Sequence, residues 1–180
     1  MVTGGPEAGK STLIDRLREA AHAHAQEAGR GIIQDQPAIG GPVLPWSDPA
    51  LFAELMLCRD LRSHRAAAAG DGPVFFDRGI PDVIGYLRPE GRPVPAHPDT
   101  AARTFRYRRR VLVAPPWPEI HPRDTERRQS FAEAERTWER LVATYTEYGY
   151  EPVELLRVRV AERVRFVIDE LRGTAPRSGT

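Results

Sequence analysis

The sequence predicts a three-layer α/β fold, in which helices cover both faces of a mostly parallel β-sheet. Three observations predict this fold class. A glycine-rich segment, 4–11, lies between the apolar start of the chain and a helix-like run from Thr12. The runs 74–76 and 111–114 are continuously apolar, which is typical of parallel strands buried on both faces. Segments with apolar residues at helical spacing separate these runs, as an alternation of strands and helices requires.

The composition is that of one globular domain. With 180 residues, 41% hydrophobic and 28% charged, the chain can bury a sizeable core, and we predict a single domain over 1–172 with a fraying tail over 173–180. A net charge of +1 gives no general field that would attract nucleic acid or a membrane. The single cysteine, Cys58, cannot form an intrachain disulfide. Because no apolar run approaches a membrane span and no signal peptide is recognisable, we expect a cytoplasmic monomer or homodimer.

The first elements along the chain are a strand and a helix on either side of the glycine-rich segment. Only Met1–Thr3 precede that segment, so either the strand is short or its natural start lies upstream of Met1. The helix after it carries Leu13, Ile14 and Leu17 on one face. The alternating residues 21–25 fit either a short second strand or more helix.

The glycine-rich segment reads as a phosphate-binding loop, because it matches G-x-x-x-x-G-K-[ST] position for position. Its glycines allow a tight turn whose N–H groups converge on phosphate oxygens, and the next helix adds its positive end. Lys10, the only lysine of the chain, would reach the β- and γ-phosphates, and the Ser11 hydroxyl would hold Mg²⁺. The predicted nucleotide-binding residues are Gly4, Gly5, Pro6, Glu7, Ala8, Gly9, Lys10, Ser11 and Thr12.

The middle of the chain predicts two helices between proline-rich loops. A loop over 37–49 ends where Ser47 or Asp48 caps a helix with Pro49 at its first position, running to about residue 69. A second proline-rich loop spans 88–98, and the segment 100–110 looks helical.

An acidic residue, Asp77, directly follows the apolar run 74–76. In open parallel sheets the chemistry gathers at the carboxyl ends of the strands, so Asp77 lies where a Mg²⁺-linked or proton-accepting carboxylate belongs. Arg78 follows at once. The alternative is a strand-end loop that merely caps the next helix. We therefore predict Ser11 and Asp77 as metal ligands and Lys10, Asp77 and Arg78 as catalytic residues.

The last third of the chain carries a candidate arginine lid. Arg123, Arg127 and Arg128 precede a long helix whose apolar face includes Ala134 and Tyr145. A closing lid over about 118–135 would bring these arginines onto the γ-phosphate, where an arginine contributes about 10³-fold or more in rate. Their alternative interpretation is a solvated helix start. A final strand over 153–158 and a closing helix complete the prediction.

A basic run, Arg106–Arg110, has two interpretations. Arginines interleaved with an aromatic residue can track nucleic acid. Cations at the end of a helix are also favourable in themselves. The balanced net charge disfavours a nucleic-acid partner.

Three segments, 2–6, 76–82 and 114–120, resemble the bacterial predicted-ATPase, AAA-domain group of P-loop proteins. This group is similar in build to small nucleoside and nucleotide kinases, including ribosylnicotinamide kinases. The resemblance covers the chain from Met1 to about Leu171. It implies a P-loop NTPase fold with a five-stranded core, ATP with Mg²⁺, and an arginine-bearing helical lid. It further implies that Asp77 acts as base or Mg²⁺ partner and that Arg78 faces the acceptor or a phosphate. Glu27, Arg30 and Asp35 receive no role.

Three functional hypotheses follow, of which the third, a nucleic-acid end kinase using the run Arg106–Arg110, is disfavoured by the balanced charge. The first is a kinase that passes the γ-phosphate of ATP to a small hydroxylated acceptor, such as a nucleoside, nucleotide or similar metabolite. Its ring would stack on aromatic residues drawn from Trp46, Tyr86, Tyr107 and Trp117. The second is an ATPase or nucleotide-dependent switch acting through a protein or nucleic-acid partner. Ring-forming motors typically have an Asp-Glu pair at the end of the corresponding strand, but here Arg78 follows Asp77. A guanine-binding motif of the GTPase type needs a lysine, and the single lysine of this chain already belongs to the phosphate loop. The kinase is the favoured hypothesis.

Overall fold

The computed structural model describes residues 1–5, 8–88, 94–119 and 130–173. This part of the chain forms five strands and seven helices. The strands are β1 Val2–Gly4, β2 Ala23–Ala25, β3 Val74–Phe76, β4 Arg110–Ala114 and β5 Glu151–Glu154. The helices are α1 Lys10–Glu19, α2 Ala28–Ala38, α3 Pro49–Ala68, α4 Ile80–Leu87, α5 Ala96–Thr104, α6 Phe131–Glu147 and α7 Val160–Gly173.

The strands run parallel in every pairing among the described residues. The predicted five-stranded sheet was wrong in its continuity, since β1, β4 and β5 form a three-stranded sheet and β2 and β3 a separate pair. A single parallel bridge, Val2 to Asp77, joins the two, with the Arg78 N–H donating to the Val2 carbonyl at 2.9 Å. In that register the bridge lies one residue beyond the end of β3, so Val74 and Phe75 pair with β2 alone. The strands still lie side by side in the order β2-β3-β1-β4-β5.

Helices cover both faces of this arrangement, which confirms the three-layer α/β fold. On one face α1 and α7 enclose a core of Leu13, Leu17 and Val167 against Val2 and Leu155. On the other face α3 to α6 pack over the sheet, with the largest core cluster formed by side chains that include Ile80, Ile84, Val111 and Tyr145. No helix in the described ranges is long and apolar enough to cross a membrane.

Several local predictions are confirmed. The alternating segment 21–25 contains a strand, β2, and the phosphate loop is followed by a helix. The Asp48 side chain caps α3 by accepting a hydrogen bond from the Leu51 N–H at 3.0 Å, with Pro49 in the first turn. A reciprocal capping box of Ser130 and Glu133 at the start of α6 was not predicted.

Two element boundaries were wrong. The predicted helix over 100–110 is instead α5, which begins at Ala96 and ends at Thr104, so the arginine run leads into β4 rather than ending a helix. Tertiary contacts of Tyr107 explain the change, because its N–H donates to the Tyr150 hydroxyl at 3.3 Å and its own hydroxyl accepts from the Ile80 N–H at 3.3 Å. These contacts hold the chain extended. The last strand spans 151–154 rather than 153–158.

Part of the predicted lid and tail lies outside the described residues. This applies to Arg123, Arg127 and Arg128, to the rest of the segment 120–129, and to 174–180. Their predicted roles stay predictions.

Candidate functional site

The phosphate loop begins at the carboxyl end of β1 and leads into the first turn of α1. Gly4 has a φ of +132°, and a Cβ there would lie 2.4 Å from the Ala114 carbonyl oxygen of β4, so only glycine fits. Gly9 takes the left-handed conformation, φ 70°, immediately before α1. Pro6 and Glu7 lie outside the described residues. The described part of the loop thus has the backbone geometry that the motif predicts.

Lys10 lies buried at the base of this loop, and its Nζ donates to the Gly5 carbonyl at 2.5 Å. Burial, together with repulsion from Arg78, lowers the pKa of Lys10 to about 8. The ammonium is therefore still charged at neutral pH and points along the loop backbone, where a phosphate-binding cation is needed.

Arg163, from α7, fixes the loop from its other side. Its guanidinium donates to the Ala8 carbonyl through both Nη atoms at 3.2 Å and to the Gly9 carbonyl at 3.3 Å. The residue is 3% exposed, and its Cζ lies 5.7 Å from the centre of the Trp117 ring. Arg163 was not among the residues predicted from the sequence. The available signal was its position three residues after Val160 and four before Val167, on the face of α7 that turns inward.

Charged side chains meet where β2 and β3 end. Glu27 follows β2 and pairs with Arg78, which follows β3, at 2.9 Å between Oε1 and Nε. Arg78 has a φ of 66°, a conformation unusual for a residue with a side chain. Sequence analysis identified Arg78 but gave Glu27 no role, because nothing local to 23–27 shows that β2 lies beside β3.

A buried carboxylate, Asp82, supports Arg78 from the first turn of α4. It accepts hydrogen bonds from the Thr3 hydroxyl at 2.5 Å, from the Gly79 N–H at 3.0 Å and from the Tyr145 hydroxyl. Its Oδ1 lies 3.7 Å from Nη1 of Arg78. These contacts tie the arginine to β1 and α6, so the strained backbone at Arg78 is held by the surrounding fold.

Asp77 lies between the loop and this charged group. Its carboxylate is largely buried and its Oδ1 has no hydrogen-bond partner among the described residues. Burial, reinforced by the charge of Glu27, raises the pKa of Asp77. Asp77 and Ser11 line one cavity of about 190 Å³, together with Glu27 and Arg30.

The donor set of that cavity fits Mg²⁺, which prefers hard oxygen ligands such as a hydroxyl and a carboxylate. The unpartnered Oδ1 of Asp77 is an oxygen that a cation would satisfy. In the described ranges, no group of three or more His, Cys, Asp or Glu side chains could hold a metal ion. A cation would therefore depend largely on nucleotide phosphates, as Mg²⁺ commonly does in such sites.

A larger cavity, about 1160 Å³, extends from the loop in two directions. Because β1 lies between β3 and β4, the loops after β2 and β3 open on one side and those after β4 and β5 on the other. The β2/β3 side contributes residues that include Glu27, Arg30, Phe52, Met56, Arg78 and Tyr86. The β4/β5 side contributes Trp117, Val158, Arg159, Val160 and Arg163.

The structure thus brings most predicted residues of the described chain together. Gly9, Lys10, Ser11, Thr12 and Arg78 line the larger cavity, while Asp77 lines only the smaller one. Of the predicted stacking aromatics, Tyr86 and Trp117 line the larger cavity. Tyr107 instead packs against the core, and Trp46 lies exposed outside the residues that line either cavity.

Comparison with solved structures finds the same fold in a nucleoside kinase. The chain matches the structure of deoxyadenosine kinase from M. mycoides with bound dATP, with a TM-score of 0.59 and 14% sequence identity. The match covers 95% of this chain and 97% of the kinase chain. At this identity the likeness shows the fold, which is that of a P-loop kinase. No curated protein matches the sequence.

The family model described as AAA domain matches residues 1–163, which include the phosphate loop, the strand-end pair Asp77 and Arg78, and Arg163. Since this match covers most of the chain, the protein belongs to the AAA-domain family.

Proposed function

We propose that the protein is an ATP- and Mg²⁺-dependent kinase that transfers the γ-phosphate of ATP to a hydroxyl group of a small acceptor. One observation carries the proposal. The phosphate loop lies between a side of the cavity with a partly exposed carboxylate–arginine pair and a side with an aromatic ring. This arrangement has room for a nucleotide and an acceptor at once. The kinase fold of the structural neighbour supports it.

The nucleotide would occupy the loop and the β4/β5 side. The loop N–H groups, the N-terminus of α1 and the ammonium of Lys10 would bind its phosphates. Its base would pack against Trp117, Val158 and Val160, which give an aromatic and aliphatic surface. Ser11 and Asp77 would hold Mg²⁺, which supplies charge neutralisation on the β- and γ-phosphates when bound.

The acceptor would occupy the β2/β3 side. Phe52 and Tyr86 form a ring pair at 5.5 Å, held by a hydrogen bond from the Tyr86 hydroxyl to the Pro45 carbonyl. Met56 and Ile33 add apolar surface, and the Gln34 amide offers both a donor and an acceptor. Such walls suit a flat ring with polar edges, as in a nucleoside. That the neighbouring structure is a deoxyadenosine kinase favours the same substrate class.

Transfer would use Glu27 as proton acceptor. The acceptor hydroxyl gives its proton to the Glu27 carboxylate as its oxygen bonds to the γ-phosphorus. The bond from that phosphorus to the bridging oxygen breaks, and its electron pair leaves with ADP. Arg78, 2.9 Å from Glu27, orients that carboxylate. Asp77 is the other candidate proton acceptor, but its burial and its place in the smaller cavity favour the Mg²⁺ role.

The arginine run near β4 supports a small acceptor over nucleic acid. Arg106 lies over the Tyr150 ring at 4.0 Å. Arg109 pairs with Glu151 at 2.9 Å, and Arg110 pairs with Glu170 at 2.8 Å. Because Arg109 and Arg110 are paired with carboxylates of the protein, their charges offer less attraction to a phosphate backbone.

³¹P NMR of the protein with Mg²⁺-ATP and a panel of nucleosides, sugars and other alcohols tests the proposal. We expect a new phosphomonoester signal with at least one acceptor. Lys10→Ala should lower its rate of formation by about 10³-fold, since Lys10 is the cation of the phosphate cradle. Inorganic phosphate alone, formed at a rate indifferent to every acceptor, would overturn the kinase proposal in favour of an ATPase acting through a partner.

A further inference from the structure

We propose that Arg30 is a further catalytic residue, whose guanidinium contacts the phosphoryl group during its transfer. The inference rests on the proposed kinase function. It assigns to α2 a charge-neutralising arginine, in addition to those that the sequence predicts in the segment 118–135.

The position of the guanidinium carries the proposal. Its Nη2 lies 3.3 Å from the Ser11 hydroxyl oxygen, and its Nε lies 3.9 Å from Oε2 of Glu27. Ser11 belongs to the phosphate loop, where the γ-phosphate starts, and Glu27 stands where the acceptor hydroxyl loses its proton. Arg30 therefore bridges the two ends of the transfer path. It also lines both cavities.

The backbone beneath Arg30 is fixed while its side chain is free to follow the reacting group. Arg30 lies in the first turn of α2, flanked by Gly29 and Ile32, which are buried, and α2 packs along α3. The Arg30 side chain is 61% exposed. A long side chain on a rigid helix can re-aim by rotation about its own bonds, without any movement of the fold.

The chemistry of Ser11 implies the direction of that movement. In the proposed function the Ser11 hydroxyl holds Mg²⁺, and a guanidinium that shares this oxygen with a divalent cation would be repelled by it. Because the charge of Glu27 attracts Arg30, the guanidinium stays near the transfer path. We therefore expect the N–H groups of Arg30 to rotate towards the γ-phosphate oxygens. An arginine fork suits these oxygens, and it stabilises most strongly the charge that develops during transfer.

A neighbouring arginine provides the matched control. Arg59, on α3, also pairs with a carboxylate, Asp35, at 2.6 Å, and its side chain is 43% exposed. It lines neither of the two cavities described above. Arg59→Gln and Arg30→Gln therefore remove the same charge, but only the second removes it beside the phosphate loop.

Binding of two nucleotide mixtures tests the proposal. Isothermal titration calorimetry would compare Mg²⁺-ADP with Mg²⁺-ADP plus aluminium fluoride, which imitates a phosphoryl group in transfer. For Arg30→Gln we expect Mg²⁺-ADP affinity within about threefold of the wild type, and a loss of about 10²-fold in the fluoride mixture and in kcat. Arg59→Gln should change neither. Free guanidinium should restore part of the kcat of Arg30→Ala, which a merely structural role would not allow.

The possible failures are distinguishable. A wild-type protein that binds no Mg²⁺-ADP, or phosphorylates no acceptor, would overturn the kinase function itself. A wild type that does both, together with an Arg30→Gln variant that keeps full affinity for the fluoride mixture, would overturn only the role of Arg30. Equal weakening of both mixtures would also overturn it, because Arg30 would then act in ground-state binding.

Discussion

The two sides of the large cavity use charge in opposite ways. On the β2/β3 side, Glu27 and Arg78 pair with each other, and their side chains remain 21% and 25% exposed. On the β4/β5 side, Arg163 is 3% exposed and donates hydrogen bonds to the carbonyls of Ala8 and Gly9. The carboxylate–arginine pair on the β2/β3 side therefore remains within reach of a ligand, while Arg163 on the other side shapes the loop. In the proposed function this separates chemistry from nucleotide binding, which mutants of the two sides can test.

The largest expected effect is on the charged side. Glu27→Gln keeps the size of the side chain but cannot accept a proton, so we expect kcat to fall by about 10²–10⁴-fold. Nucleotide affinity should stay within a few-fold of the wild type. Steady-state kinetics and calorimetry with Mg²⁺-ADP measure the two quantities. Glu19→Gln, which removes an exposed carboxylate paired with Arg16, is the control.

Asp77→Asn sharpens the same test. If Asp77 serves Mg²⁺, the variant should need more Mg²⁺ for half-maximal rate. A loss of kcat in Asp77→Asn at saturating Mg²⁺, with full activity in Glu27→Gln, would instead make Asp77 the proton acceptor.

An intermediate effect is expected on the other side. Arg163→Met removes the hydrogen bonds to the loop carbonyls, and we expect about a tenfold loss of nucleotide affinity with a smaller change in kcat. Arg165→Met, which removes an exposed arginine from the same helix, should have little effect. Since Arg163 is buried, the melting temperature of each variant should be measured first. Arg163→Lys, which keeps the charge, should recover part of the affinity. A kcat that falls as far as the affinity would contradict the division between the two sides.

The smallest expected effect concerns Asp60, a buried carboxyl of α3 that interacts electrostatically with Asp82, Arg78 and Glu27. Burial, reinforced by the charge of Asp82, raises the pKa of Asp60 to about 8. The unfolded chain loses this proton near pH 4 and the folded protein only near pH 8, so the wild type loses stability as the pH rises between these values. Asp60→Asn escapes the loss and should melt several degrees above the wild type at pH 8. The gain should shrink towards pH 4, as measured by thermal melts across pH. Asp35→Asn, which removes an exposed carboxylate paired with Arg59, is the control.

Local pattern was enough to predict the parts of the site that depend on neighbouring residues. Lys10 and Ser11 follow from the loop motif, and Asp77 and Arg78 follow from the end of an apolar strand. The Glu27–Arg78 pair could not be predicted, because it requires knowing that β2 lies beside β3.

Distant contacts account for the other failures. The helix expected over 100–110 was overridden by the contacts of Tyr107 with Ile80 and Tyr150. Arg163 reaches the loop from 155 residues along the chain, a separation that no local pattern records. The single bridge between Val2 and Asp77 depends on the register of two strands, which apolar runs alone do not fix.

The bond between Arg163 and the phosphate loop has a consequence for the newly made chain. The loop leaves the ribosome before α7, and the arginine that fixes its carbonyls follows 155 residues later. At about 5–20 residues per second, this delay is on the order of 10–30 s. During that time the loop lacks its support from α7, so we expect the growing polypeptide to acquire tight nucleotide binding only after α7 has emerged.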